Sequence, residues 1–297
     1  MIIIGQEKYC DFPTIKEGIE FLEQKPENEQ KKMVILSGNY HEILEICLSN
    51  FEMVGLGDVQ IIGSKGARHI HEDGQEIGTF RSATVFIEGE NIRLKNITII
   101  NDAGQGEKIG QAVALFAYCH QAEFEHCRLI GHQDTLCTGP LPGKQADGTP
   151  FTKIPLKHQY TYCKQVYKDC YINGTVDFIF GGADADFIDC QIESRRRPDG
   201  GKGGYITAAS TPKGQEQGYI FEGCLITAEQ GVDNIHLGRP WRPYAQTTFK
   251  HCYMGDHILA EGWNNWGKES NEQTAKYAEI ECIYTNEIAR PSWVRVE

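Results

Sequence analysis

Apolar residues in this chain return as a short phrase and not at a helical period. The phrase is a large apolar residue, two polar or small residues, Cys, any residue, and an apolar one. It reads Phe124-Glu125-His126-Cys127-Arg128-Leu129, then Tyr167-Lys168-Asp169-Cys170-Tyr171-Ile172 and Phe187-Ile188-Asp189-Cys190-Gln191-Ile192. It continues as Phe221-Glu222-Gly223-Cys224-Leu225-Ile226 and Phe249-Lys250-His251-Cys252-Tyr253-Met254. Earlier copies replace the thiol by an aliphatic residue: Leu94, Ile97 and Ile99, and before them Phe51, Val54 and Leu56. A site that accepts either Cys or Ile is a small buried apolar position. Cys127, Cys170, Cys190, Cys224 and Cys252 are therefore expected to stack as reduced thiols in an interior.

Successive cysteines from Cys170 to Cys252 lie 20, 34 and 28 residues apart. Coils of constant core length joined by loops of variable length produce such spacing. Each copy is a short strand too small to bury anything alone, and stacking the copies in parallel makes one continuous core. The expected fold is all-β: a single-stranded parallel β-helix running through residues 1–297 as one domain. One helix is expected near the start, where Ile15, Ile19 and Leu22 share a face and Thr14 and Glu17 are spaced as a capping box. It would plug the first coil and cover its open strand edges.

Composition narrows the classes of partner. The 297 residues carry 29 Lys+Arg and a formal charge of −12, which disfavours nucleic acid and anionic membranes. No apolar run reaches the length of a membrane span. Residues Met1 to Gly5 lack the basic and apolar regions of an export signal. With many thiols expected unpaired, this favours the cytoplasm, the alternative being a secreted chain whose signal has been removed. A monomer is expected.

Neither a G-x-S-x-G elbow nor an H-E-x-x-H zinc motif is present. The candidate chemistry lies in four dense segments: Gly110-Gln111-Ala112-Val113-Ala114-Leu115, Gly131-His132-Gln133-Asp134-Thr135-Leu136, Gly174-Thr175-Val176-Asp177-Phe178-Ile179-Phe180-Gly181 and Leu237-Gly238-Arg239-Pro240-Trp241. On stacked coils they would line one face. Asp134 and Asp177, Gln111 and Gln133, and Arg239 then make a complete acyl-transfer set. One ionised carboxylate attacks an ester carbonyl, amide N–H groups hold the oxyanion, and a protonated carboxylate supplies the leaving group's proton. No metal or cofactor is needed. Trp241 offers a flat apolar face to a sugar ring.

These segments resemble the signature motifs of the pectin methylesterases, carbohydrate esterase family 8. The likeness runs from Gly38-Asn39-Tyr40-His41-Glu42 through Thr79-Phe80-Arg81-Ser82-Ala83-Thr84 to Gly262-Trp263-Asn264-Asn265-Trp266. The resemblance implies a right-handed β-helix and hydrolysis of methyl esters on pectin or methylated oligogalacturonides. It implies Asp177 as nucleophile, Asp134 as general acid and then base, Gln133 as oxyanion donor and Gln111 as its assistant. Arg239, Trp241 and Thr79 match substrate-contact positions, and Phe180 is expected to line the cleft. His132 and Cys137 stand where the family usually has tyrosines, and His132 is expected to shape the substrate site. The stretch Thr138–Lys157, with Pro140, Pro142, Gly143, Gly148, Pro150 and Pro155, reads as a loop at the cleft rim. Arg195-Arg196-Arg197 is either a grip for galacturonate carboxylates or a solvated loop. Competing classes are a β-helix that only binds oligosaccharide and an esterase or thioesterase acting on another acyl group. The N-T-D, D-D and G-H-G segments of polygalacturonases do not occur, and no acid cluster suggests the calcium site of pectate lyases.

Overall fold

The computed structural model describes residues 1–145, 147–151, 154 and 156–297; Pro155 of the expected loop lies outside the described residues. Short strands pair in parallel with the equivalent strand of the next coil, so the chain winds through three faces. The first face runs from Leu44–Cys47 through Leu136–Thr138, Val176–Gly181 and Gly204–Ala209 to Ile235–Gly238. The second runs from Ile2–Ile4 through Lys164–Lys168, Asp184–Ile188, Tyr219–Glu222 and Gln246–Lys250 to Lys276–Ile280 and Val294–Val296. The third includes Arg128–Ile130, Tyr171–Gly174, Gln191–Ser194 and Leu225–Ala228.

The recurring phrase is the corner between the second and third faces. Its apolar opener points inward: Phe124, Tyr167, Phe187, Phe221 and Phe249 pair residue for residue on successive coils. Their rings stack at centroid distances of 4.4–4.7 Å and within 12° of parallel. The residue before each thiol of the column, and before Ile97 in the earlier copy, turns the corner in the left-handed region. Asn96, His126, Asp169, Asp189, Gly223, His251 and Glu281 all have φ between 49° and 66°. Asn, Asp, His and Gly enter this region at least cost, which is why the phrase is polar or small just there. The next residue drops back inside. Cys127, Cys170, Cys190, Cys224 and Cys252 are buried, and all eleven cysteines are free thiols. Each of the five donates a weak S–H bond to a carbonyl one coil back, from Cys127 to Leu94 O through Cys252 to Phe221 O.

Two details differ from expectation. The earliest copy is out of register: Phe51 faces inward, but Leu56 is exposed and Met53 and Val59 take the buried places. The corner there is wider, and its pairing with the preceding coil shifts between Leu36 and Gly38. At the other end Cys282 joins the thiol column with a bond to Phe249 O. Its copy was hidden because the ring position is occupied by Glu279, which pairs with Phe249. Glu279 is fully buried, held by Arg290 at 2.6 and 2.9 Å and by Trp263 Nε1 at 2.8 Å.

The helix spans Ile15–Glu23 and buries Ile15, Gly18, Ile19 and Leu22 against the first coils. Thr14 Oγ1 accepts from Glu17 N at 3.2 Å, the expected half of the capping box. In place of the reciprocal half, Glu42 from a neighbouring coil accepts from Ile15 N and Lys16 N. Gly18 lets the helix approach closely: a Cβ there would meet the side-chain ends of Ile4 at 2.6 Å and Met33 at 2.9 Å, and both would have to shift. No helix of the described residues is long and apolar enough to cross a membrane.

The buried ion pair yields a stability prediction. Arg290→Ala strands a buried carboxylate and is expected to lower unfolding free energy by about 3–5 kcal/mol. The double replacement Glu279→Phe with Arg290→Met, which continues the ring column, is expected to recover much of that loss. Urea unfolding curves of both variants test it, and equal losses would show that the pair is not the feature that matters.

Candidate active site

The outer side of the first face carries a second apolar row. Phe86, Phe116, Cys137, Phe180 and Ala208 pair in sequence on consecutive coils and form a small core under the covering loops. Thr207 pairs with Gly238, which puts Arg239 next in that row after Ala208. Cys137 is fully buried between Phe116 and Phe180, with Leu141, Ile154, Leu156 and Trp241 packed on the same cluster. It is part of a packed floor and does not face a sugar.

Beside this row opens a cleft of ≈ 420 Å³. Its lining includes Thr79, Gln111, Gln133, Asp134, Asp177, Phe180, Arg239 and Trp241. Eight of the nine residues expected from the sequence thus converge on one cavity. Register explains how. Leu136 pairs with Ile179, and each aspartate stands two residues before its member of the pair. Asp134 N donates to Val176 O at 3.1 Å, and Ala112 N to Gln133 O at 3.0 Å. The two carboxylates therefore sit on adjacent coils, about 4.8 Å apart along the stack, with Gln111 one coil further back.

Both aspartates are in the left-handed region, Asp134 at φ 65° and Asp177 at φ 50°. That conformation costs a non-glycine residue on the order of 1–2 kcal/mol, with Asp and Asn among the least penalised. The break in strand alternation is visible in the residues that follow: Thr135 and Leu136, like Phe178 and Ile179, are all fully buried. Of these six residues only the two aspartates line the cleft.

Arg239 reaches Asp177 across an intervening coil, a span of about 10 Å along the stack. Its Nε lies 2.8 Å from Oδ1 and its Nη2 2.7 Å from Oδ2, a bidentate grip. Ala208 occupies the coil between and leaves the path open. The guanidinium lies between two rings, 3.8 Å from the centroid of Tyr205 and 3.9 Å from that of Trp266. Stacking on both sides fixes its plane toward the carboxylate.

The electrostatics separate the two acids. Burial pushes the Asp177 carboxyl up, and the hydrogen bonds and charge of Arg239 pull it back. Asp134 is pushed well above the ordinary carboxylate value, first by desolvation and then by the charge of Asp177, with only the more distant Arg239 opposing. The lower pKa stays with Asp177. Arg239 is held above its usual value because Asp177 outweighs burial, which alone would lower it. Two carboxyls of unlike proton affinity, Asp134 the higher, thus face a common space.

His132 is a correction: it does not line the cleft. Its ring is half-buried on the side of Arg195, Glu229 and Asp199, and its pKa is pulled down to about 4 by burial and by Arg195. The left-handed Asp134 turns one way and His132, two residues earlier, is left facing the other. The arginine run is likewise engaged within the chain. Arg195 pairs with Glu229, Arg197 with Asp199, and Arg196 Nη2 donates to Gln230 O. Tyr205, Ala208, Trp266, Phe80, Phe151 and Arg242 were not singled out from sequence. Phe80 and Trp266 lie in segments that carry the family resemblance, and the in-register extension of the Asp177 coil would have indicated Tyr205 and Ala208. Among the described residues, no group of three or more His, Cys, Asp or Glu side chains can hold a metal ion.

A family model described as Pectinesterase matches residues 1–140 and 156–293. The chain belongs to the pectinesterase family. Pectinesterase 31 of Arabidopsis thaliana is 37% identical over 207 residues, covering 69% of this chain and 56% of that protein. Pectinesterase 2 of Citrus sinensis is 31% identical over 288 residues, covering 94% of this chain and 50% of that one. The chain spans about half the length of these curated relatives. Among solved structures, a pectin methylesterase from carrot superposes with a TM-score of 0.80 at 26% identity, over 100% of this chain and 88% of that one. Pectin methylesterase PemA from Erwinia chrysanthemi gives 0.81 at 25% identity, over 100% and 92%. The pectinesterase fold of these neighbours is a right-handed parallel β-helix, as expected from the motifs.

The open path at Ala208 yields a prediction for this pectinesterase-family site. Ala208→Leu places a branched side chain where Arg239 crosses, so Asp177 loses the charge that opposes burial. Its carboxyl is then expected to titrate higher than in the unsubstituted protein. Carbon-detected NMR titration of the aspartates measures this without reference to turnover, and an unchanged or lower Asp177 titration would contradict the geometry.

Proposed function

We propose that this chain is a carboxylic ester hydrolase that removes methyl esters from pectin or methylated oligogalacturonides, releasing methanol through a covalent acyl-enzyme. The observation that carries the reading is the unlike pair of carboxyls: Asp177 gripped by Arg239 and Asp134 buried beside it without such a grip. A site that only bound sugar would gain nothing from keeping one acid charged and its neighbour protonated. Family membership supports the substrate class, as does a neighbour, itself a pectin methylesterase, solved in complex with a hexasaccharide.

In the proposed sequence, an Asp177 oxygen attacks the methyl ester carbonyl carbon. The tetrahedral oxyanion is received by the side-chain amide of Gln133, assisted by Gln111. As the carbonyl re-forms, the C–O bond to methoxide breaks and Asp134 supplies the proton that makes methanol. An anhydride between Asp177 and the galacturonyl group remains. Asp134, now ionised, takes a proton from water, which attacks the galacturonyl carbonyl. Collapse restores Asp177 as its anion and releases the galacturonic carboxyl, which gives its remaining proton to solvent. Arg239 keeps Asp177 charged at the start and accepts it again at the end. Trp241 and Phe180, whose rings meet edge to face at 5.7 Å, supply apolar wall for the pyranose.

Methanol release from methylated oligogalacturonides tests the reading. Asp177→Asn is expected to abolish release with the fold intact. Gln133→Ala is expected to cost about 100- to 1,000-fold in kcat, and a change confined to KM would make Gln133 a binding residue only.

The rate should also be bell-shaped in pH. Activity requires Asp177 deprotonated, so it rises as pH passes the Asp177 pKa, and requires Asp134 protonated, so it falls as pH passes the raised Asp134 pKa. Arg239→Gln raises the pKa of Asp177 and is expected to move the acidic limb to higher pH. A shift of that limb to lower pH would contradict the assignment of the nucleophile.

A further inference from the structure

The strand Val85–Lys95 carries a carboxylate in a costly setting. Glu88 follows Phe86 on the outer side of the first face and pairs with Cys47 on the preceding coil and Tyr118 on the next. Its side chain is fully buried. A buried charge is unfavourable unless it is partnered and hydrogen-bonded. The partners come from the segment that re-enters the coil after residues 141–155, the stretch that the family model passes over. The Glu88 oxygens accept from Lys157 N at 2.8 and 3.0 Å and from His158 N, and His158 Nδ1 lies 3.0 Å away. Among the described residues its ion-pair partner is His158.

Tyr118, next in the same outer row, takes up the following bond: its hydroxyl accepts from Tyr160 N at 3.0 Å. Leu156 packs on the cluster that holds Cys137, with Cys47 and Tyr160 on the same cluster. The returning leg of the insertion is thus fastened to the stack through its main chain. The forward part of the insertion reaches the active site. Gln145 and Phe151 line the cleft, and Phe151 stands edge-on to Phe80 at 5.3 Å and 6.5 Å from Trp241. Phe151 precedes Lys157 by only six residues, so wall and anchor belong to one short span.

We propose that Glu88 is a positioning residue for the substrate: it fixes the returning leg of the insertion and thereby holds Phe151 in place as a wall of the cleft. Two observations select this role. The charge is answered by the main-chain N–H groups of two consecutive residues, which fixes the path of the backbone and not only the pose of a side chain. Glu88 is also not among the described residues that line the cleft, so it acts through the insertion and not by touching the sugar. The proposal rests on the substrate reading above and adds to it: part of the apolar wall that meets the pyranose depends on a carboxylate outside the cleft. Its influence falls on sugar binding, not on bond-making at Asp177.

Glu88→Gln keeps the volume of the side chain but turns an NH2 group on the N–H donors. Its KM for methylated hexagalacturonate is expected to rise about three- to tenfold, the size of an aromatic contact, with kcat within about twofold of the unsubstituted protein. Lys157→Pro removes one donor from the insertion side and should give the same split. Phe151→Ala should raise KM alike, and adding Glu88→Gln to it should then change KM by less than about twofold. The anchor is also read without turnover. Burial holds the Cys47 thiol above its ordinary value, and its Sγ lies 3.9 Å from Glu88 Oε2. Iodoacetamide should alkylate Cys47 at least about threefold faster in Glu88→Gln and Lys157→Pro, as peptide mass mapping would show. A fall in kcat with KM unchanged, or KM losses that multiply in the double variant, overturns the positioning role. Unchanged Cys47 alkylation in both single variants overturns the anchor itself. Absence of methanol from the unsubstituted protein overturns the esterase reading, while Cys47 alkylation still decides the anchor.

Discussion

The cleft depends on coil-to-coil register. In a parallel stack every inward and outward position is repeated about 4.8 Å further on, so residues distant in sequence become neighbours without any loop having to aim them. Asp134 and Asp177 are brought together by the pairing of Leu136 with Ile179. Arg239 is aligned by the pairing of Thr207 with Gly238. A slip of one residue at either ladder would send the functional side chains to the opposite face. The stacked rings from Phe124 to Phe249, together with the left-handed corners, hold the register against such a slip.

Upon this frame the site combines costs that the rest of the chain meets separately, left-handed corners in one place and a buried ion pair in another. It places two carboxylates in left-handed backbone, buries both, and desolvates an arginine between rings. Removing one partner from such a pair is far more damaging than its net contribution suggests, because the other charge stays buried. The rigid stack tolerates these costs, and the unequal reach of Arg239 to the two buried carboxyls is what separates their proton affinities.

The coil, its thiol column, the capping helix and most of the cleft were legible in the sequence because they repeat or carry fixed motifs. What escaped was set by positions where the repeat changes. Glu279 in a ring position concealed the coil of Cys282, and a widened corner displaced Leu56 from the core to the surface. His132 was misplaced because spacing from Asp134 says nothing about a left-handed residue that reverses the direction of the side chains around it. Tyr205 and Trp266 escaped because an aromatic ring in a strand or loop looks the same in sequence whether it packs a core or steadies a guanidinium.

The Glu279–Arg290 pair also marks where the column of stacked rings stops. Solenoids lengthen by duplicating a coil, and a new coil inserted within the ring column would find a ring above and below it. Past Phe249 the column ends in a carboxylate already satisfied by Arg290 and Trp263. A coil added there would lay its ring on an ion pair and displace the segment that carries Arg290. Duplication within the ring column therefore preserves the kind of contact on either side, whereas duplication next to Glu279 would have to rebuild its pairing with Arg290.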